Sequence, residues 1–275
     1  MSSAFVTGGS GFIGGRLVRR LVSDGWRVRA LARSPSSATT IRGLGAEAVT
    51  GDLDDVDSMT AGAESCDVAF HLAAHLGQWG TREEFERGNV LGTRNALAAC
   101  ERAGIRRFVH CSTEAVLLAG DPLVNIDETA PRRPDSPALY SSTKALAEAV
   151  VVDADRDSFE TVVLRPRLVW GAGDTTLLPP ILDAVKAGRF RWIGGGGHLT
   201  STTHVDNVVE GLVLAAERGG HGEIYFVTDG DPVVFREFVS GLIATRVCPH
   251  RRARCRHGPL APAPQWLRPR GESYR

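Results

Sequence analysis

The chain has 275 residues, 43% of them hydrophobic, with 32 basic and 32 acidic side chains. That length allows one large or two modest domains with ample core, and a formal charge of zero gives no reason to invoke nucleic acid or an anionic membrane. Five cysteines, an odd count without metal-ligand spacing, point to a reduced, cytoplasmic setting and to no metal site; the absence of any run of about 18 apolar residues argues against an integral membrane segment.

The first element is an apolar strand, Ala4-Phe5-Val6, running into Thr7-Gly8-Gly9-Ser10-Gly11-Phe12-Ile13-Gly14-Gly15. Ile13, Leu17, Val18, Leu21 and Val22 then recur at helical spacing. Between a strand and a helix, a Gly-x-Gly-x-x-Gly match reads as a dinucleotide-binding turn. Gly9 is expected to permit the tight turn, Gly11 to let backbone approach a pyrophosphate, and Gly14 to let helix and strand pack closely. Amides at the helix start then face the phosphates. A second strand runs from Trp26 to Ala32. At its end, where a carboxylate would bind the ribose 2′-hydroxyl of NAD, stand Ala32 and Arg33. A missing acid beside a cation predicts NADP preferred over NAD.

Further strands are expected at Ala46 to Thr50, Asp67 to Leu72, Arg107 to Cys111 and Thr161 to Arg165, the last stopped by Pro166. A long helix over Glu83 to Ala103 has Gly88 and Gly92 inside it, which weakens its middle. This alternation predicts an α/β fold, a Rossmann-type doubly wound parallel sheet with helices on both faces. Ligands in such sheets bind beyond the carboxyl ends of the strands, where Gly8, Asp52, Ala73 and Thr113 fall.

The chain has three tyrosines and two lysines, and Tyr140 and Lys144 stand four apart in a segment free of Gly and Pro from Ala138 to Arg156. On a helix they share a face. A free phenol titrates near about 10, and a fixed cation nearby favours the phenolate, so Lys144 is expected to bring Tyr140 toward working pH as an acid/base. His71 and His110, in strands, read as satisfied core residues; His75, at the crevice mouth, is a candidate substrate contact.

Past residue 166 the pattern loosens into glycine- and proline-marked turns, a helix near Leu177 to Ala187, another over Asn207 to Glu217 and a strand over Glu223 to Thr228. The expected organisation is a dinucleotide-binding domain over 1–166 carrying the catalytic helix, a smaller, partly interleaved substrate-binding portion over 167–245, and a basic disordered tail over 246–275. The tail holds eight arginines against the single acid Glu272, so the first 245 residues carry about minus seven. Its prolines at 259, 262, 264 and 269 preclude a long helix.

With the glycine turn and Tyr140-x-x-x-Lys144 both in place, the chain resembles an extended short-chain dehydrogenase/reductase of the NAD-dependent epimerase/dehydratase superfamily. Asp52-Leu53, His71-Leu72-Ala73-Ala74, Asn89-Val90-Leu91-Gly92-Thr93, Leu164-Arg165-Pro166 and His204-Val205-Asp206 match in order and spacing, from residue 3 to about 245. The resemblance implies that Asp52 and Leu53 flank the adenine, that Ala73 and Ala74 lie along the cofactor, and that Lys144 grips the nicotinamide ribose. It also implies a substrate-holding hydroxyl at Thr113, with Ser112 as the alternative. The cofactor set expected is Gly8, Gly9, Ser10, Gly11, Phe12, Ile13, Gly14, Arg33, Asp52, Leu53, Ala73, Ala74, Lys144 and Pro166.

Sugar-nucleotide members of that superfamily usually carry Tyr-Gly after the catalytic Ser/Thr, an Asn after the sixth strand, and an Arg before His-Val-Asp. Here those stretches read Glu114-Ala115-Val116-Leu117-Leu118, Arg165-Pro166-Arg167-Leu168-Val169-Trp170 and Thr200-Ser201-Thr202-Thr203. Leu117, Leu118, Trp79, Trp170 and Trp192 offer apolar surface instead. The resemblance is therefore to the branch of 3β-hydroxysteroid dehydrogenases and dihydroflavonol-type reductases, which implies an NAD(P)-dependent exchange of secondary alcohol and ketone on a bulky apolar small molecule. Two alternatives stay open: a sugar-nucleotide epimerase or dehydratase with tightly bound NAD(P), and a non-catalytic NAD(P)-binding module. A homodimer is one option for assembly.

Overall fold

In the computed structural model, which describes residues 2–76 and 79–247, strand β1 (Ser3–Thr7) is buried along its whole length, as a central parallel strand requires. Helix α1 (Phe12–Ser23) follows and buries Gly14, Leu17, Val18 and Leu21 on one face. After β2 (Arg27–Ala32), Ser34 caps α2 (Pro35–Gly43), its hydroxyl accepting from Ser37 N at 3.2 Å. Next come β3 (Glu47–Thr50), α3 (Val56–Ala63), capped by Asp55, and β4 (Val68–His71).

The long helix predicted after β4 is continuous but not uniform. It opens as α4 (Arg82–Phe85) with a Thr81–Glu84 capping box, widens to a π-helical segment over Glu86–Leu91, and resumes as α5 (Gly92–Arg102). Both glycines sit where neighbours press in: a Cβ at Gly88 would lie 2.8 Å from His75 Cβ, and one at Gly92 2.9 Å from Leu53 Cδ1. They bring the helix against the loops that follow β3 and β4.

The remaining elements are β5 (Arg107–Cys111), a 3-10 turn over Glu114–Leu117, α6 (Leu139–Asp153), β6 (Glu160–Pro166), β7 (Val169–Trp170), α7 (Leu178–Lys186), β8 (Leu199–Thr200), β9 (Thr203–His204), α8 (Val205–Arg218), β10 (Ile224–Val227), β11 (Val233–Val234) and α9 (Phe235–Val247). Seven strands form one parallel sheet in the order β3-β2-β1-β4-β5-β6-β10. Alternate residues of each central strand feed opposite cores. Val6, Phe70, Val109 and Leu164 meet Leu17, Leu21, Val208 and Leu212 of α1 and α8; Phe5, Ala69, Phe108 and Val163 meet Met59, Leu97 and Val151 of α3, α5 and α6. Chain order reverses between β1 and β4, so the crevice for a ligand opens beyond Thr7 and His71.

By compactness the chain past residue 166 divides between two units. Residues 201–231 return to the sheet unit, because β10 pairs in parallel with β6 and α8 covers the sheet beside α1. Among the described residues the second compact unit comprises 178–200 and 232–247. Within it β8 pairs antiparallel with β11, Phe235 stacks on His198 at 4.9 Å, and Arg236 lies 5.5 Å over the Trp192 ring. The tail expected to be disordered lies, past Val247, outside the described residues. Among the described residues no helix is long and apolar enough to cross a membrane.

Candidate active site

The glycine turn after β1 is shaped by steric exclusion. Gly8, at φ +74°, carries the left-handed backbone that the sequence pattern assigns to Gly9. A Cβ on Gly8 would lie 2.7 Å from Ala73 N, and one on Gly14 would lie 2.1 Å from Gly8 O, so neither position admits a side chain. Gly9 has an ordinary φ and packs beneath the turn, where a Cβ would come within 2.9 Å of Ala30 Cβ. The turn closes with Gly11 N donating to Gly8 O at 3.0 Å.

Two cavities meet at this turn. The first, of about 920 Å³, is lined by Gly8, Ser10, Gly11, Arg33, Asp52, Leu53, Ala73 and Ala74, with Ser34, Ser36, Ser37 and Thr40 along one wall. Arg33 is exposed at its rim, next to the capped start of α2, where the helix dipole favours an anion. Asp52 keeps one carboxylate oxygen on Asp54 N at 3.2 Å. A cradle without side chains, flanked by a cation and hydroxyls, fits the phosphates and ribose of a dinucleotide.

The second cavity, of about 820 Å³, is lined by Phe12, Ile13 and Gly14 of α1, by Ser112, Thr113 and Tyr140, and by Trp79, Phe85, Leu139, Pro166, Leu168 and Val169. Thr113 and Tyr140 therefore share one apolar chamber. The Thr113 hydroxyl accepts from Ala115 N at 3.2 Å and opens the 3-10 turn. Ser112 is buried, and its hydroxyl donates to Glu148 Oε2 at 2.5 Å, which commits it away from any substrate.

Lys144 is almost fully buried and lines neither cavity. Its ammonium donates to Cys111 O at 3.1 Å and to His110 Nε2 at 3.3 Å. The Tyr140 phenol is pushed up to about 12, by burial first and the neighbouring Cys111 second, against a Thr113 hydrogen bond that lowers it. In place of the expected shift toward neutral pH the phenol moves up, with desolvation of the phenolate as the largest cause, while the Lys144 hydrogen bonds go to β5.

Below the cavities lies a buried polar layer that the sequence motifs did not explain. Glu148, one turn past Lys144 on α6, pairs with Arg165 of β6 at 2.6 Å, and both are essentially inaccessible. Breaking such a pair by removing one partner costs about 3–5 kcal/mol. Asn89, on the π-helical segment, accepts from His75 N at 2.7 Å and donates to Thr143 Oγ1 at 3.0 Å, tying the loop after β4 to the helix of Tyr140. Its place inside Asn89-Val90-Leu91-Gly92-Thr93 was the only signal for it in the sequence. His71 is satisfied as expected, with Nδ1 2.8 Å from Thr7 Oγ1 and Nε2 3.0 Å from Thr93 Oγ1. His110 is not: it faces Lys144 on one nitrogen, and its Nδ1 finds no partner among the described residues. His75 meets the edge of Phe85 at 4.5 Å and lines the first cavity.

The 3-beta hydroxysteroid dehydrogenase/isomerase family matches residues 5–253 of this chain. A 4-hydroxy-2-methyl-3-oxo-4-farnesyl-3,4-dihydroquinoline-1-oxide ketoreductase from Stigmatella aurantiaca is 50% identical over 242 residues, covering 88% of this chain and 72% of the relative. A 2-alkyl-3-oxoalkanoate reductase from Stenotrophomonas maltophilia is 38% identical over 246 residues, covering 87% and 74%. Among solved structures, MoeE5 in complex with UDP-glucose and NAD superposes with a TM-score of 0.73 at 28% identity, covering 89% of this chain and 82% of that one. From β1 past the last described helix the match is continuous, and the chain belongs to the 3-beta hydroxysteroid dehydrogenase/isomerase family.

Proposed function

We propose that this protein is an NADP-preferring oxidoreductase that reduces the ketone of a bulky apolar molecule to a secondary alcohol, consuming NADPH and a proton. The observation that carries this reading is the meeting of Thr113 and Tyr140 in an apolar chamber that opens onto the glycine turn. The names of the quinoline-oxide ketoreductase and 3-oxoalkanoate reductase relatives support a carbonyl on a hydrophobic frame.

When bound, the nicotinamide supplies the hydride that the carbonyl carbon receives. Thr113 donates a hydrogen bond to the carbonyl oxygen as negative charge grows there. Tyr140 delivers its proton to the same oxygen, and the phenol, pushed up to about 12, holds that proton at neutral pH until the carbonyl oxygen gains charge. Lys144, one helical turn on, carries positive charge that favours the phenolate left behind, and it anchors the end of β5 through Cys111 O. Arg33 and the start of α2 would hold the 2′-phosphate that distinguishes NADP.

The sugar-nucleotide reading has one observation in its favour, the likeness to MoeE5. The chamber opposes it, since the side chains of Leu139, Leu168 and Val169 offer a sugar nucleotide no polar partner. Incubating the purified protein with NADPH, a 3-ketosteroid, a 2-alkyl-3-oxoalkanoate and UDP-glucose separates the readings. Steady NADPH oxidation with an apolar ketone is the expected result. Sugar conversion without net cofactor change would replace this reading, and NADP binding without any turnover would leave a cofactor-binding module.

A further inference from the structure

Among the described residues three other than glycine have a positive φ, and only one of them, Leu168 at +42°, projects onto the chamber that holds Thr113 and Tyr140. The Cβ of any residue but glycine crowds the carbonyl oxygen in left-handed backbone; Asn125 is of a type whose short polar side chain can offset this by local hydrogen bonding, and a leucine has no such group. Such a conformation persists only where the surroundings over-determine it. They do so here. Arg167 N donates to the fully buried Thr203 Oγ1 at 3.1 Å, and that hydroxyl lies 2.9 Å from Arg167 O and 2.6 Å from Val227 O. On the other side Val169 pairs with Thr203 where β7 meets β9. The Arg167 guanidinium is hydrogen-bonded to the buried Glu114 carboxylate, which directly follows Thr113. The residue between these clamps is held in a backbone that Gly or Asn would accept with less strain, and what it contributes is an isobutyl group on the chamber wall.

We propose that Leu168 is a specificity-determining residue, clamped in a strained turn so that its side chain completes the apolar wall beside Thr113 and Tyr140. The proposal rests on the ketone-reductase reading of the same chamber. The wall it completes favours a hydrophobic ring system or chain and penalises a hydroxylated or charged one, whose polar groups would lose water without gaining partners.

Leu168→Gly and Leu168→Ala both delete the side chain, but only Gly relieves the backbone. Leu168→Gly is therefore expected to melt about 2–4 °C above Leu168→Ala, the reverse of their order at an ordinary φ. In NADPH-coupled assays both variants should raise KM for a 3-ketosteroid about tenfold relative to KM for cyclohexanone. An Ala variant as stable as the Gly variant, or an unchanged KM ratio, would overturn the proposal. If the wild-type chain reduces no ketone, the functional reading fails, and titration with 1-anilinonaphthalene-8-sulfonate at saturating NADP still judges Leu168. Its Kd should rise about tenfold in both variants, and an unchanged Kd rules the wall role out.

Discussion

The chamber beside Arg33 and the chamber beside Tyr140 share Gly8, Gly11, Leu72 and Leu76, yet they are made of different material. The first recognises through backbone amides, hydroxyls and charge, nearly half of it drawn from Gly8 to Thr40, a short stretch of sequence. The second is a wall of apolar side chains gathered from α1, the loop after β4, the end of β5, the start of α6 and the loop after β6. A glycine cradle tolerates no substitution, because a Cβ at Gly14 would strike Gly8 O at 2.1 Å. An apolar wall can be re-cut one side chain at a time without disturbing the sheet beneath it. One fold can therefore keep its cofactor half and vary its substrate half, as the likeness to both a ketoreductase and MoeE5 illustrates.

The contrast is broken most severely inside the second chamber. Tyr140→Phe should cut ketone reduction by about 10²–10⁴ while leaving NADP affinity nearly unchanged, measured by steady-state turnover and by cofactor titration. A variant with more than about a tenth of the wild-type rate would remove Tyr140 from the chemistry. Thr113→Val should lower kcat by about 10²-fold with little change in melting temperature. Ser112→Ala should do the opposite: its hydroxyl serves the buried Glu148 carboxylate, so stability falls by about 1.5–3 kcal/mol and kcat holds. If the two variants exchanged these effects, the choice of Thr113 would be wrong.

On the cofactor side, Arg33→Asp should weaken NADP by about 10- to 100-fold and leave NAD unchanged or improved, measured as separate Kd values. Equal loss for both would mean that Arg33 supports its loop and does not read the phosphate. A smaller effect tests the floor common to both chambers. His71 is held down to about 3, by burial first and by the Lys144 charge second, and His110 is lowered well below its ordinary value by the same two causes and by His71. Both stay neutral in the fold, and the unfolded chain takes up the protons first. Stability is complete above about pH 6.5 and falls as pH drops from there toward 3. At pH 5 the loss from His71 is roughly 2 kcal/mol, with His110 adding in the same direction, and urea midpoints at pH 7 and pH 5 would read it. A midpoint that held steady to pH 5 would mean that these rings are more solvated than the structure has them.

Local patterns carried most of the sheet. Short runs rich in apolar and β-branched residues marked β1 to β6 and β10 to within a residue or two, most clearly in the central strands that are buried on both faces. Less was legible in α2, α3 and α9, which lack a strong apolar stripe, and in the two-residue strands β7, β8, β9 and β11, which exist only through their partners. At the site, Tyr140, Thr113, Arg33 and the glycine turn were named from spacing and position alone. Glu148, Arg165 and Asn89 were visible only as letters in motifs, because a buried ion pair between β6 and α6 has no signature in either segment.

By itself, then, the chain determined the features that near neighbours dictate: a glycine turn between strand and helix, a tyrosine and a lysine on one helical face, a cation where an acid would stand. Only the tertiary structure decided how those groups are charged and what they touch. It spent Lys144 on Cys111 and His110, committed Ser112 to Glu148, moved the left-handed glycine from Gly9 to Gly8, and left Tyr140 holding its proton. Ionisation and hydrogen bonding depend on burial and on partners that stand 33 to 36 residues apart in the chain, and these meet only when the sheet closes over its two cores.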